Sequence, residues 1–186
     1  MIQAIPSAAT RLTRDGFAVL DQCHRDTLST LDTLAELVAR LESEGASDAV
    51  RAMASQVVSF FSATAKEHHE DEERHVFPEA LAADDPEVVQ AVLRLQQDHD
   101  WLEEDWLELS PHLNALVAGQ SWWDLAFIRE ASAVFSALSH DHIALEEACV
   151  YPQARSRLKD AARQSMGREM AARRRARRST GPGATG

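Results

Sequence analysis

Apolar residues recur along this chain at every third or fourth position, a spacing that predicts amphipathic helices rather than strands. Four such stripes can be followed, over residues 17–41, 50–75, 88–109 and 128–149. Each stripe is interrupted by histidine at a position where a core residue belongs. The four histidines concerned are His24, His68, His99 and His142. The pattern therefore predicts a helical protein with imidazoles in its interior.

Turn signals divide the chain into four predicted helices. Each opens near a polar residue or a proline and ends near a glycine or a proline, and they cover about residues 21–44, 47–78, 85–111 and 121–152. Asp85-Pro86 suits the start of the third helix, because Asp caps helices and Pro is tolerated in the first turn. Pro111 should kink or end that helix, since proline lacks a backbone donor.

The predicted fold is all-α, an antiparallel up-down four-helix bundle with a basic C-terminal extension. A chain of 186 residues fits one domain, and its seven Gly and six Pro favour helices. We expect the bundle over residues 17–157, after an N-terminal segment at 1–16. Residues 158–186 should form a basic tail, partly helical and then disordered.

One helical hairpin occurs twice in the sequence. The pattern H-x-x-x-E-E-x-x-V-[F/Y]-P is found at residues 68–78 and again at residues 142–152. A lone histidine, His24 in one copy and His99 in the other, lies in the first helix of each hairpin. This internal repeat predicts two similar halves facing each other.

The spacing of the four histidines predicts that they meet at one level. Two residues on neighbouring helices of an up-down bundle have equal height when the turn falls at their midpoint. The three midpoints fall at residue 46, between residues 83 and 84, and between residues 120 and 121. All three lie at turns identified on other grounds, so the imidazoles should form one ring in mid-bundle.

Two glutamates should join this ring. Glu72 and Glu146 each follow a stripe histidine by four residues, so each pair projects from one helix face. Imidazole and carboxylate together suit iron, and two carboxylates from different helices can bridge two ions. A single buried histidine is more often a hydrogen-bonded core residue. Four histidines and two carboxylates at one level would be costly to bury without a metal.

At these residues the chain resembles the hemerythrin-like (HHE cation-binding) family over about residues 17–157. The resemblance implies a centre of two iron ions with an oxo or hydroxo bridge, held in a four-helix bundle. It implies six ligands at positions matching the family motif. These are His24, His68, His99 and His142 as imidazole ligands, with Glu72 and Glu146 as bridging carboxylates.

The sequence departs from the oxygen-carrying members of that family at one position. They have a further histidine one turn after the third-helix histidine, and this chain has Glu103 there. We expect Glu103 to lie on the correct face to bind metal and therefore include it in the ligand set. A hard anionic ligand in place of imidazole should favour the ferric state and weaken reversible oxygen binding.

The charge is distributed unevenly. Residues 1–149 carry 9 Lys+Arg against 28 Asp+Glu, a net of −19, and residues 150–186 carry 10 against 2, a net of +8. The acidic body argues against nucleic acid as a partner. The arginines at 173–178 could contact an anionic partner, a membrane surface or this acidic body, although a solvated tail is the simplest interpretation.

Several residues near the ligand stripe have two interpretations. His75 and Cys149 could act beside the metals or only fill the core, and core filling is favoured. Glu73 and Glu147 could anchor ligand histidines or be surface charge. Trp106 could border an access route. The remaining histidine beside the motif, His69, is offset from the stripe and is expected to be solvated or hydrogen-bonded.

These observations predict a cytoplasmic di-iron protein that binds or reacts with dioxygen, peroxide or nitric oxide, in sensing, stress defence or iron handling. Two cysteines are too few for a disulfide framework, and no apolar run is long enough to span a bilayer. An enzyme that consumes peroxide or nitric oxide is an alternative. A metal-stapled binding module acting through the Arg-rich tail is another. The oligomeric state is not predicted.

Overall fold

The computed structural model describes residues 15–180, with side chains to residue 177, and these residues form helices joined by short turns. The elements in chain order are α1 (Gly16–Glu44), α2 (Asp48–His75), α3 (Phe77–Leu81), α4 (Pro86–Val117), α5 (Leu125–Leu145), a π-turn (Glu146–Val150), α6 (Tyr151–Arg157) and α7 (Asp160–Thr180). The all-helical prediction is confirmed, since residues 15–180 contain no strand. The expectations for residues 1–14 and 181–186 lie outside the described part.

Side-chain caps fix where the four long helices begin. The carboxylate of Asp15 accepts a hydrogen bond from the amide of Phe17, and Ser47, Asp85 and Asp124 cap the starts of α2, α4 and α5 in the same way. Gly45 ends α1 with φ +71°, a left-handed conformation that glycine adopts without steric cost. The predicted helix starts at 47 and 85 are therefore close to the observed ones.

Several predicted boundaries differ from the structure. Helix α1 begins at Gly16 rather than near residue 21, and α2 ends at His75 rather than near residue 78. Helix α4 does not end at Pro111 but continues to Val117, because Leu109, Leu113 and Leu116 are buried on one face and their packing outweighs the lost hydrogen bond. Helix α5 begins at Leu125 rather than near residue 121, since the cap is Asp124.

The long helices pack as a ring, in which α1 contacts α2 and α5, and α4 contacts α2 and α5. Two apolar clusters fill the ring. Read from its N-terminal end, each of α1 and α4 contributes to the first cluster and then to the second, whereas the segments that begin with α2 and with α5 contribute to them in the reverse order. The first includes Phe17, Leu20, Val76, Phe77, Val92, Leu95, Val150 and Tyr151. The second includes Leu31, Leu34, Val57, Phe61, Leu102, Leu109, Ile128 and Phe135. The level of the four stripe histidines lies between these clusters, which shield it from bulk water at both ends.

Helix α7 folds back onto the bundle, so the basic segment is not the solvated tail that the sequence favoured. It contacts α1 and α2, and Met166 and Met170 are buried in the first apolar cluster. Gly16 makes room for it, because a Cβ there would lie 2.5 Å from Cγ of Met166. Burial of two methionines holds this helix against the bundle.

The arginines of α7 pair with acidic residues of α2. Arg173 and Arg174 both contact the carboxylate of Asp71, the latter at 2.6 Å, and Arg177 contacts Glu70. Asp71 is only 2% exposed. Of the three contacts considered for this segment, the structure therefore displays the one with the protein's own acidic body.

No helix between residues 15 and 180 combines the length and the apolar character needed to cross a membrane.

Candidate metal centre

Six of the seven predicted ligand residues come together in the middle of the ring of helices. They are all nearly inaccessible to solvent: His24 is 1% exposed, His68 5%, Glu72 0%, His99 5%, His142 2% and Glu146 0%. Burying two carboxylates costs free energy unless positive charge or hydrogen-bond donors surround them. Here imidazoles from α1, α2, α4 and α5 surround them.

Four of these residues form a first cluster, made of His24, His68, Glu72 and Glu146, whose ligand atoms lie within 4.8 Å of one another. Nε2 of His24 lies 3.1 Å from Oε2 of Glu146, and Nε2 of His68 lies 3.2 Å from Oε1 of Glu72. Two imidazole nitrogens and two carboxylate oxygens therefore converge on one point, as in a site for a divalent cation.

A second cluster lies beside the first and consists of His69, Glu72, His99 and His142, also within 4.8 Å. Oε2 of Glu72 is 3.5 Å from Nε2 of His99, whereas its Oε1 faces the first cluster. The two oxygens of Glu146 also face different clusters, because Oε1 lies 3.1 Å from Nε2 of His142 and Oε2 faces His24. Each of the two glutamates thus presents one oxygen to each cluster.

His69 is the residue that the sequence interpretation missed. It was expected to be solvated or hydrogen-bonded, but its ring stacks on that of His99, with centroids 4.0 Å apart. Neighbouring residues of a helix point about 100° apart. Because α2 packs between α1 and α4, His68 can reach the first cluster and His69 the second. The His68-His69 doublet, which the other repeat lacks, was the available signal.

The structure does not bring Glu103 into either cluster. Its carboxylate is 55% exposed and pairs with Nζ of Lys66 at 2.9 Å. Although Glu103 follows His99 by one turn, it lies at the surface between α4 and α2. His69, and not Glu103, stands beside His99 in the second cluster.

The second glutamate of each repeat motif holds the lone histidine of the opposite hairpin. Nδ1 of His24 is 3.0 Å from Oε1 of Glu147, and Nδ1 of His99 is 2.9 Å from Oε1 of Glu73. A histidine that donates its Nδ1–H in this way directs Nε2 into the cluster. Of the two interpretations given to Glu73 and Glu147, the structure supports anchoring.

His75 does not point into the centre. It is half-buried, and its Nε2 lies 2.6 Å from Oε2 of Glu169 on α7. Cys149 is likewise half-buried, at the edge of the first apolar cluster. The structure therefore places both residues outside the two clusters.

The electrostatics of the centre attract positive charge. Burial opposes protonation of His24, but hydrogen bonds and charge from Glu146 and Glu72 raise the pKa of His24 to about 10. Burial likewise opposes protonation of His142, but Glu146 and Asp98 raise its pKa to about 10. Burial also tends to raise the pKa of Glu72, yet His68, His24 and His99 hold it well below its usual value. The Glu72 carboxylate thus stays ionised.

Unpartnered polar atoms test whether metal ions suit these residues. Eight buried atoms near this level have no hydrogen-bond partner: Nδ1 of His68, Oε2 of Glu72, Oδ2 of Asp98, Nε2 of His99, both ring nitrogens of His142 and both carboxylate oxygens of Glu146. Buried polar atoms normally have a partner. A cation with nitrogen and oxygen ligands would satisfy most of these atoms, so the residues fit such ions.

Glu146 begins the π-turn that follows α5. A π-turn inserts one extra residue into a helix and is often found at functional sites. Here it lies between Glu146, a member of the first cluster, and Tyr151, which contacts that cluster. No residue pattern in the sequence signalled this turn.

A cavity of about 550 Å³ opens onto the second cluster between α2, α4 and α5. The histidines of the centre that line it are His68, His69, His99 and His142. Its walls include Phe61, Trp106 and Phe135, whereas Lys66 and Glu103 line it from the exposed surface of α2 and α4. Trp106 therefore lines this cavity, and its place beside an access route, which one interpretation of the sequence suggested, stays a prediction.

Comparison with known proteins adds two findings. Residues 15–154 match the model of the hemerythrin HHE cation binding domain. A protein of Haemophilus influenzae (strain ATCC 51907 / DSM 11121 / KW20 / Rd), described only as uncharacterized, is 31% identical over 102 residues, which cover 55% of this chain and 59% of that protein. The matched part thus spans about three-fifths of that relative. Helix α7 lies beyond the residues that match the domain.

Proposed function

This chain belongs to the hemerythrin HHE cation-binding domain family, and we propose that its two clusters hold a pair of iron ions that bind or react with dioxygen, peroxide or nitric oxide. One observation carries the proposal: Glu72 and Glu146 each present one oxygen to each cluster. Carboxylates that are shared by two clusters suit two ions bound side by side better than two ions bound at separate sites. The proposal includes the antiparallel four-helix arrangement and a cytoplasmic location.

Different residues would have different roles in such a centre. Iron, when bound, supplies a reversible change of oxidation state. His24 and His68 offer nitrogens to the first position, and the second position is offered three imidazoles. Glu147 and Glu73 fix the orientation of the two lone histidines. The apolar clusters keep bulk water away from both ends of the centre.

The cavity supports entry of a small reactant on the side of the second cluster. Its aromatic walls suit a weakly polar molecule such as dioxygen or nitric oxide, and His68 and His142, which both have unpartnered ring nitrogens, are among its lining residues. The first cluster is reached less directly, because His24, Glu72 and Glu146 do not line this cavity. We therefore place the reactant beside His69, His99 and His142.

Glu103 gives no reason to expect weak reversible oxygen binding. We expected it to replace an imidazole ligand, but it pairs with Lys66 outside the clusters, and His69 stands beside His99. The second position is therefore rich in imidazole, and its ligand types do not argue against carriage.

Turnover of peroxide or nitric oxide is the second candidate. A cavity of about 550 Å³ is larger than a diatomic molecule needs, so water and a released product could share it. The binding-module alternative has less support, because Arg173 and Arg174 are already paired with Asp71. An anionic partner for the remaining tail stays a prediction.

Metal analysis after anaerobic reconstitution with Fe²⁺ tests the main proposal. We expect two irons per chain and an absorption spectrum that changes on exposure to oxygen, peroxide or nitric oxide. Glu72→Gln should lower the iron content, because the shared carboxylate loses one anionic oxygen. Glu103→Gln is the matched control and should retain both irons. Iron at trace level in the reconstituted protein, or a colourless protein with one zinc ion, would contradict the proposal.

A further inference from the structure

The two copies of the repeated motif differ at one aromatic residue beside the centre. Tyr151 stacks on His24, with ring centroids 5.2 Å apart and planes at 21°. Phe77, at the equivalent position of the other copy, stacks on His99 at 5.5 Å and 17°. The rings occupy corresponding places, so the phenol hydroxyl is the group that one half has and the other lacks.

That hydroxyl lies among the candidate ligand atoms of the first cluster. Oη of Tyr151 donates a hydrogen bond to Oε1 of Glu72 at 2.5 Å and lies 3.2 Å from Nε2 of His24. Tyr151 is 2% exposed, and its ring packs edge-on against Phe17. The oxygen is therefore held in place by the core and is not free to turn toward solvent.

These spacings are hydrogen-bond lengths, and they also fit atoms that would share one ion. Two adjacent ligands in octahedral geometry, each about 2.1 Å from the ion, lie about 3 Å apart. The distances from Oη to Glu72 and to His24 bracket that separation.

We propose that the phenol oxygen of Tyr151 is a ligand of the ion held by the first cluster, and that Phe77 leaves the second position without such a ligand. This inference rests on the proposed function. Tyr151 binds by heterolytic loss of its O–H bond: the oxygen keeps the electron pair and shares it with the ion, and the proton passes first to Oε1 of Glu72, the acceptor of its hydrogen bond, and from there to the solvent as the ion is bound.

A phenolate makes the two positions chemically unlike. It is a hard anionic ligand, which favours the ferric over the ferrous state at the first position. The second position combines three imidazoles with the shared carboxylates and faces the cavity. Tyr151 does not line that cavity, so its oxygen does not compete with an incoming reactant.

The chain offers an unusually clean test because Tyr151 is its only tyrosine. The protein loaded with Fe³⁺ should show a visible phenolate-to-iron charge-transfer band and tyrosinate vibrations in resonance Raman spectra. Tyr151→Phe should lose both signals while iron content is measured in parallel. Phe77→Leu, which removes the corresponding ring beside the second cluster, is the control and should keep them.

Each outcome decides the proposal. Iron bound without tyrosinate vibrations in the wild-type protein would overturn it, and so would a band that persists in Tyr151→Phe. If the chain takes up no iron, the proposed function fails separately, and Zn²⁺ becomes the probe. A tyrosinate ultraviolet difference spectrum on addition of Zn²⁺ would then support the ligand role, and its absence would overturn it.

Discussion

The ring of His69 lies parallel to the ring of His99, with centroids 4.0 Å apart and planes only 9° from parallel. The two residues come from α2 and α4, and together with His142 and Glu72 they form the second cluster. This pairing gives the second cluster three imidazoles, whereas the ligand set inferred from the sequence had Glu103 in place of His69. The composition of that position therefore depends on His69.

We predict that His69→Ala lowers the iron content from about two ions toward one, because the second cluster loses one of three imidazole ligands. The first cluster does not use His69 and should remain loaded. Iron per chain, measured after reconstitution and buffer exchange, checks this. His140→Ala removes an exposed histidine of α5 and serves as the control. Unchanged loading in His69→Ala would contradict a ligand role.

The fold could be predicted because the signals for its helices lie in short stretches of sequence and repeat with the helical period. Apolar residues spaced by a helical turn placed four stripe histidines on inward faces, and capping residues such as Asp85 marked where helices begin. Glu72 and Glu146 could be predicted because they follow histidines by four residues, on the same face. Those six residues meet as expected.

The missed features depend on contacts between helices. His69 lies off the stripe of its own helix, and only the position of α4 brings it to the centre. Glu103 has the correct spacing from His99, but Lys66 on α2 binds it at the surface. The docking of α7 depends on the fit of Met166 against Gly16, which no periodicity reveals.

The hydrogen bonds that His24 donates to Glu147 and His99 donates to Glu73 should affect metal affinity, although neither glutamate is a ligand. Glu147→Gln and Glu73→Gln remove the charge that favours the required imidazole orientation, and we expect metal affinity to fall about 10–100-fold. Competition with a chromophoric chelator measures this. Glu104→Gln, at an exposed position of α4, should bind metal as the wild-type protein does.

The pairing of α7 with Asp71 should stabilise the whole domain. Arg173→Gln combined with Arg174→Gln leaves a buried carboxylate without its partners, and we expect a loss of about 2 kcal/mol in the free energy of unfolding. Urea denaturation at low ionic strength measures the difference. Arg175→Gln changes an exposed arginine of the same helix and should have little effect. Equal stability of all three proteins would show that the arginine pairs contribute nothing.

The metal-free protein should become less stable as the pH rises from about 6.5 toward 10. The pKa values of His24 and His142 are raised to about 10 by carboxylates, although burial opposes this. A group whose pKa is raised by folding stabilises the folded state fully at pH values below its pKa in the unfolded chain. That stabilisation is lost as the pH rises through its pKa in the folded protein. Burial lowers the pKa of His68 to about 3, but its contribution changes only below pH 6.5.

Metal affinity should change in the opposite direction over the same range. Protons on His24 and His142 compete with the ion, so affinity should rise with pH. Thermal unfolding of the metal-free protein and Zn²⁺ affinity, both measured between pH 6.5 and 9, check the two slopes together. A metal-free protein whose stability is flat or rises over this range would contradict the assignment of raised pKa values.

We predict that a small reactant reaches the centre through the cavity between α2, α4 and α5. Ala65 lines the cavity from α2, so Ala65→Trp should fill part of it without removing a ligand. We expect oxidation of the ferrous protein by hydrogen peroxide to slow about tenfold, as about 1.4 kcal/mol of added barrier would produce. Ala52→Trp places the same ring on an exposed part of α2 that does not line the cavity. Stopped-flow absorption should show wild-type rates for Ala52→Trp, and iron analysis should show full loading of both variants. If Ala65→Trp is fully loaded and reacts at the wild-type rate, peroxide reaches the centre by another path.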